Sequence, residues 1–483
     1  MNILKNGELK RELRLGSAVI IVIANIIGTG IFTTSGLIIE KLSSPQTMLL
    51  CWIIGGVLAL SGALCYGELG AMFPMAGGEY VFLRESIGKP VGFLSGWISL
   101  IVGFSAPIAA ASIAFATYFL GSLSDMDSIA IQVDPNAILP LKILTVACSA
   151  FFSLINAFSS LINWYSLHFG SPLIVLAVAV IILFSLAHWY SLHFGSRVQN
   201  LLTTFKVMVI LAFIICGFLI GNGSWTHFNA ASPPTVILSG EFATSLIFIS
   251  FAYSGWNAAA YLGSEIKNPS RNIPLSLFWG TLVVVVLYLL LNMVFIYALS
   301  PEEMGGVIDV GAKSAIRLFG VKIGGIFSMA VTICLMSVIS AMIMAGPRVY
   351  YAMSRDGIFP KWFGRVKKEH GTPGTSILLQ AVISILMVIT SSFEKLLIYI
   401  GFTLSLFALF TVAGMILLRV RRPDIERPYK TFGYPFTPLL FILSNLWIII
   451  YSIKSNPVVC LYGGGTILAG ILVFLFFSRT RSN

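Results

Sequence analysis

Charge is what this sequence has least of. Only 10% of its 483 residues are Asp, Glu, Lys or Arg, while 57% are hydrophobic, and the mean hydropathy is +0.93. A soluble domain carries about 25% charged residues, so this chain could not clothe itself in polar surface, and a lipid bilayer is its expected solvent. The first fifteen residues are polar, which excludes the apolar core of a cleaved signal peptide. Lys and Arg are missing from the loops 122–136, 221–234 and 300–310 and recur in the alternate ones, around 84–89, 197, 267–271, 348–368 and 419–430. That alternation places both termini in the cytoplasm, with the plasma (inner) membrane as the expected location. It also disposes of nucleic acid as the reason for the net charge of +11, because a nucleic-acid binder gathers its basic residues on one face. Cysteines number six, all in or beside apolar segments, and imply neither a disulfide framework nor a metal centre.

Apolar stretches long enough to cross about 30 Å of hydrocarbon recur along the whole chain, at 16–38, 46–72, 90–120, 141–163, 172–190, 199–220, 238–262, 274–298, 321–345, 376–392, 396–418, 435–453 and 457–478. Their number is odd, and the octapeptide WYSLHFGS occurs twice, at 164–171 and 189–196. If every stretch crossed, each basic loop after residue 197 would lie outside. One of 141–163 and 172–190 is therefore expected not to span normally, and 172–190, the less polar, is expected to be the true span. His168, His188 and His193 accompany the repeat and read as incidental polar residues rather than metal ligands.

Two apolar stretches carry sequences that should not stay helical. In the first, Gly28 and Gly30 flank the β-branched Thr29; in the other, FAYSGWN, Ser254 and Gly255 stand mid-span. Glycine costs about 1 kcal/mol against alanine in a helix. A break frees backbone N–H and C=O groups at membrane depth, which is tolerated only where they line a cavity or meet a ligand. The breaks fall in candidate helices one and six of a twelve-helix chain, the offset expected of two inverted five-helix repeats: 1–220, including the duplicated segment 141–196, and 238–418, with two trailing helices at 435–478. A half-helix N-terminus suits a carboxylate and half-helix carbonyls suit an ammonium. A ligand with both groups a few ångströms apart is an α-amino acid. The plainer reading makes the glycines packing notches.

The segments IIGTGIF, YGELGAMFPMAGGEYVFLRESIGKPVGFLSGW (66–97), FAYSGWNAAAYLGSEIKNPSRNIP (251–274) and AGPRVYYAMSRDGIFPKWF (345–363) resemble the signatures of amino acid permeases of the amino acid–polyamine–organocation superfamily, with most similarity to its L-type-like and proton-dependent bacterial members. The resemblance covers nearly the whole chain. It implies an all-α LeuT-like fold with two helices after a ten-helix core, and no cofactor. Amides near Thr29 and Gly30 would take the substrate carboxylate. The carbonyls of Ile26, Phe251 and Ser254 would take its amino group, and Phe251 would gate the site. Thr29 departs from the family pattern, where serine is commoner, as does the duplicated helix end. The loop 122–140 has no cysteine, so a disulfide to an accessory heavy chain is not expected.

Lys206 lies inside an apolar segment, which marks it as functional unless its stem snorkels to the interface. In the resembling permeases such a lysine stands in for a sodium ion, with a carbonyl near Ile26 and a helix-eight hydroxyl, Ser337 or Ser340, as its expected partners. Glu68, Glu79, Arg84, Glu265, Arg355 and Asp356 are expected as inner-gate ion pairs or solvated caps. The substrate side of the second break, Ser254, Asn257 and Ala258 to Ala260, offers no carboxylate, which favours small to medium neutral amino acids over cationic amino acids or polyamines. Sodium-independent exchange, facilitated diffusion and proton symport all stay open, the last with a proton as coupling ion. An intramembrane enzyme would need a nucleophile–base pair at depth, which the apolar segments do not supply; a sodium symporter is disfavoured by the lysine, and a channel by the lack of a filter-like repeat.

Overall fold

The computed structural model describes residues 11–75, 77–126, 171–190, 192–229, 239–364 and 373–479. Among these, nearly all regular structure is helical, and only an isolated bridge between Leu13 and Ile266 is extended pairing. Nine helices are each long and apolar enough to cross a membrane, and a bent pair makes a tenth pass. The protein is an integral membrane protein.

The first pass is the bent pair α1 (Leu15–Ile26) and α2 (Thr29–Leu42), which meet at 43°. The second is α3 (Pro45–Met72), followed by the short α4 (Glu79–Ser86). The third runs through α5 (Lys89–Ile98), a π-helical stretch Ser99–Ser105, and α6 (Ala106–Met126). The π-turns have a local cause. Pro107 has no N–H to give to the carbonyl of residue 103, so the helix widens ahead of it; Ser105 Oγ bonds back to Leu100 O at 2.7 Å.

The next passes are α7 (Pro172–Tyr190), α8 (Leu192–Ile220), the short α9 (Gly240–Ala252) with α10 (Ala258–Tyr261) beyond a break, and α11 (Pro269–Ala298). After α12 (Pro301–Met304) and α13 (Val310–Phe319) come α14 (Val321–Arg355), α15 (Gly374–Thr390), α16 (Phe393–Arg421), α17 (Phe436–Ser455) and α18 (Pro457–Arg479). Counting the two shorter apolar helices, α9 and α15, this row makes twelve passes among the described residues.

The segment 172–190 is an unbroken apolar helix packed against α6, α14 and α15. The other tandem stretch, 141–163, lies outside the described residues, as do His168 and the first copy of the octapeptide. His188 stands just before the second copy, and the residue before the first is Asn163, so this histidine was not duplicated.

Most of the core is one apolar cluster in which α3 packs on α11, α14 on α6, and the half-helix α2 on α9, with two smaller clusters around Phe93 and Phe402. The outermost helices α17 and α18 expose large apolar side chains such as Leu443, Leu461 and Phe476, as a lipid-facing surface requires.

Candidate functional site

The two breaks meet each other. In the first, α1 ends at Ile26, Ile27 turns extended at φ −66°, ψ 94°, and Gly28 precedes the first residue of α2 without a side chain to cap it. In the second, α9 ends at Ala252, and Gly255 takes φ +96°, a left-handed value natural only to glycine. A Cβ on Gly255 would lie 2.6 Å from Asn25 O, and one on Gly30 would lie 2.4 Å from Ala252 Cα. Gly28 therefore makes the first break, while Gly30 is helical. The sequence reading of Gly30 as a breaker needs correcting: it is the notch through which α2 touches the end of α9. The packing notch at Gly30 thus lies directly beside the break at Gly28.

A small cavity opens at this crossing. Ile26, Gly28, Thr29, Gly30, Phe251 and Ser254 all line it. The first amides of α2 have no intrahelical acceptor, so its Thr29 end offers donors and positive potential to the cavity. Asn25, Pro107, Ala252, Val338 and Met342 complete the wall. Asn257 is absent from it. Its side-chain amide instead donates to Glu79 Oε1 at 3.0 Å, which removes Asn257 from the set of cavity-facing residues.

Lys206, on α8, is 1% exposed. Its ammonium donates to Ala24 O at 3.0 Å and to Ile27 O, two carbonyls left over where α1 ends. Snorkelling is excluded by that burial. Of the expected hydroxyl partners, Ser337 is buried on α14, whereas Ser340 Oγ lies 2.9 Å from His188 Nε2. That contact joins α14 to α7, so Ser340 does not serve Lys206, and His188 is a buried helix-to-helix contact rather than an incidental polar residue.

Tyr288, on α11, went unnoticed in the sequence. Its hydroxyl reaches Ile26 O at 2.8 Å and Ala252 O at 3.3 Å, one carbonyl from each break. Its ring is held edge-on by Trp52 and against Tyr253. A tyrosine within LYLLLN carries no local signal beyond one hydroxyl in an apolar run. Only the tertiary arrangement shows that it bridges the breaks.

The remaining charges divide in two. Glu68 is fully buried and bound by Arg419 Nε at 2.8 Å and by Thr431 N and Oγ1, each at 2.7 Å. Arg427 lies 3.7 Å away. Arg84 reaches Asp356 at 3.9 Å, where Tyr80 also donates at 2.9 Å. Glu265 gives its backbone carbonyl to the amides of Glu12 and Leu13, tying the start of the chain to the segment after α10. The Arg355 side chain lies outside the described atoms. Glu79 is neither an ion pair nor a solvated cap: it is buried and accepts from Tyr66 and Asn257. Among the described residues, no group of three His, Cys, Asp or Glu could hold a metal ion.

Comparison with known proteins finds amino acid transporters. The chain is 29% identical to the mouse large neutral amino acids transporter small subunit 2, over 96% of its own length and 81% of the relative's. It is 28% identical to the mouse b(0,+)-type amino acid transporter 1, over 98% and 89%. It is also 28% identical to the human Asc-type amino acid transporter 1, over 98% and 83%. The model of the amino acid permease family matches residues 13–477, and the chain belongs to that family.

Proposed function

We propose that this amino acid permease is a sodium-independent carrier of small to medium neutral amino acids, bound as zwitterions where the two broken passes cross. The observation that carries the reading is the occupancy of the break carbonyls. Lys206 donates to Ala24 O and Ile27 O, and Tyr288 to Ile26 O and Ala252 O. A sodium ion at either place would have to displace a donor built into the chain. The amides at Thr29 and Gly30, which face the cavity, are left for a carboxylate. Ile26 O has a second lone pair, and with the Phe251 and Ser254 carbonyls it is suited to the substrate ammonium.

Neutral side chains fit the lining, which contains no Asp or Glu among the described residues. A cationic amino acid or polyamine, the second reading, would bring a charge with no partner there. The names of the relatives, large neutral amino acids transporter and Asc-type and b(0,+)-type amino acid transporters, support the class. One is called a small subunit; the loop 122–140 here has no cysteine through which to link a larger one.

Passes one to five and six to ten are read as the two inverted halves, and α17 and α18 as the trailing pair. The alternation of basic loops supports cytoplasmic termini, with the plasma membrane as the proposed location. Exchange, facilitated diffusion and proton symport all remain compatible with this site. Uptake of radiolabelled leucine, alanine and lysine into proteoliposomes tests the reading, with and without sodium and with or without internal amino acid. Sodium-dependent uptake, or lysine moved at least as well as alanine and leucine, would overturn it. For the orientation, Lys430→Cys should resist an impermeant thiol reagent applied from outside, and Ser300→Cys should react.

A further inference from the structure

Glu79 is a buried acid without a cation. It begins α4, is 8% exposed, and receives both of its hydrogen bonds on Oε1, from Tyr66 Oη at 2.7 Å and Asn257 Nδ2 at 3.0 Å. No Lys or Arg lies within ion-pair distance of it among the described residues. The contrast is with Glu68, also buried, which has Arg419 and Arg427. The groups facing Glu79 are Tyr66 from α3 and Asn257 and Tyr261 from the sixth pass. On α5 the ionisable residue is Lys89, exposed at the start of the helix. On α16, Arg419 is committed to Glu68, Arg421 is exposed, and Glu394, Lys395 and Tyr399 lie near the opposite end. On α4 itself, Arg84 pairs with Glu85 and Asp356.

We propose that Glu79 is a proton-binding site that latches the sixth pass, just beyond its break, to α4, so that parting these elements releases the proton to water. The idea rests on the carrier reading above and adds a ligand to it. A carboxylate buried without a cation is costly, while the neutral acid is not. Both donors fall on Oε1, an acceptor in either protonation state, which leaves Oε2 to carry the proton. Burial pushes the Glu79 carboxyl up from the usual range, and the bonds from Tyr66 and Asn257 pull it partly back down. The sign follows from linkage. The raised group holds its proton in the latched state and returns to the ordinary carboxylate range, about 4.3, when water enters. Low pH therefore strengthens the latch. The latch weakens as pH rises through the window between the ordinary and the raised value.

The latch lies at the end of the molecule where Leu13 pairs with Ile266, the face read as cytoplasmic. Exchange of labelled leucine or alanine by the full chain in proteoliposomes, at fixed external pH and varied internal pH, tests the proposal. Wild-type exchange should rise about threefold or more as internal pH rises through the window. Glu79→Gln keeps the Oε1 acceptor, replaces the protonated oxygen with an amide and cannot ionise. It should exchange at close to the wild-type low-pH rate and show no slope. Asn257→Ala removes one donor that holds the carboxyl down, so its midpoint should move to higher pH. A Glu79→Gln profile that keeps the wild-type slope overturns the proposal, as does an unmoved midpoint in Asn257→Ala. A flat wild-type profile with robust exchange also overturns the latch and leaves the carrier reading standing. Absence of exchange by the wild type at every pH overturns both.

Discussion

Replacing Lys206 with methionine keeps a long, unbranched side chain and removes only the ammonium. Two charge-assisted bonds disappear, to Ala24 O and Ile27 O, each worth about 1.5–3 kcal/mol. The loss is therefore about 3–6 kcal/mol. Against it stands the desolvation of an ammonium that is 1% exposed and has no carboxylate within ion-pair distance among the described residues, a penalty of several kcal/mol per ion that also vanishes. The terms oppose each other and are of similar size, so the folded protein should lose no more than about 2 kcal/mol.

Turnover has no such compensation. The ammonium ties α8 to the break of the first pass, and any step that moves α1 away from α8 must exchange those bonds for others. If only half of the 3–6 kcal/mol differs between the two conformations, their ratio shifts by about tenfold to a hundredfold, at 1.36 kcal/mol per decade. Lys206→Met should thus fold, elute as a single species and melt within a few degrees of wild type, yet exchange labelled substrate at least tenfold more slowly per molecule. Uptake within twofold of wild type at matched protein would refute the coupling role. Wholesale aggregation of the variant would refute the energy balance.

Three other substitutions, with Gly464→Ala as a control, probe the construction of the molecule. Gly30→Ala puts a methyl 2.4 Å from Ala252 Cα and should cost about 1–3 kcal/mol of overpacking, visible as a large loss of uptake; Gly464→Ala, which meets nothing within 4 Å, should be neutral in the same assay. Tyr288→Phe keeps the aromatic packing but strips a donor from Ile26 O and Ala252 O, and should lower thermal stability by about 1–3 kcal/mol; an unchanged melting temperature would argue that water replaces the hydroxyl. Glu68→Gln leaves Arg419 and Arg427 without their buried carboxylate and should cost about 3–5 kcal/mol, seen as earlier heat-induced aggregation in detergent, whereas an unaltered profile would make the cluster dispensable.

What could be read from the sequence was whatever leaves a local trace. An apolar run announces a pass, a glycine pair inside it announces a break, and a lysine inside it announces a buried charge, because each violates the expectation for its own segment. The helix ends at Ile26 and Ala252 and the burial of Lys206 are such cases. What could not be read depends on which segments meet. Gly30 looked like Gly28 in the sequence, yet only the approach of Ala252 shows that it is a notch. Asn257 sat in a break motif and was assigned to the substrate, but Glu79, from a distant helix, claims its amide. Ser340 was matched to Lys206 by helix number alone, and the rotation of α14 turns it towards His188. Tyr288 left no trace at all, since one hydroxyl among leucines is unremarkable until two carbonyls are seen converging on it.

If the crossing is the substrate site proposed above, the division of its polar groups would set how a zwitterion is read. Carbonyls of the first break are already held from two sides, by Lys206 of the fifth pass and Tyr288 of the seventh, whereas the amide end of α2 faces the cavity. A carboxylate entering there meets donors with no competing partner in the helix. An ammonium must share Ile26 O with a phenol already bound at 2.8 Å, through that oxygen's second lone pair. On the proposed reading the carboxylate would thus be the stronger anchor, and the ammonium would adjust a network that exists without it. On the proposed reading, movement of Tyr288 on binding would be felt at Ala252 O as well, so one hydroxyl would connect substrate binding to the sixth pass.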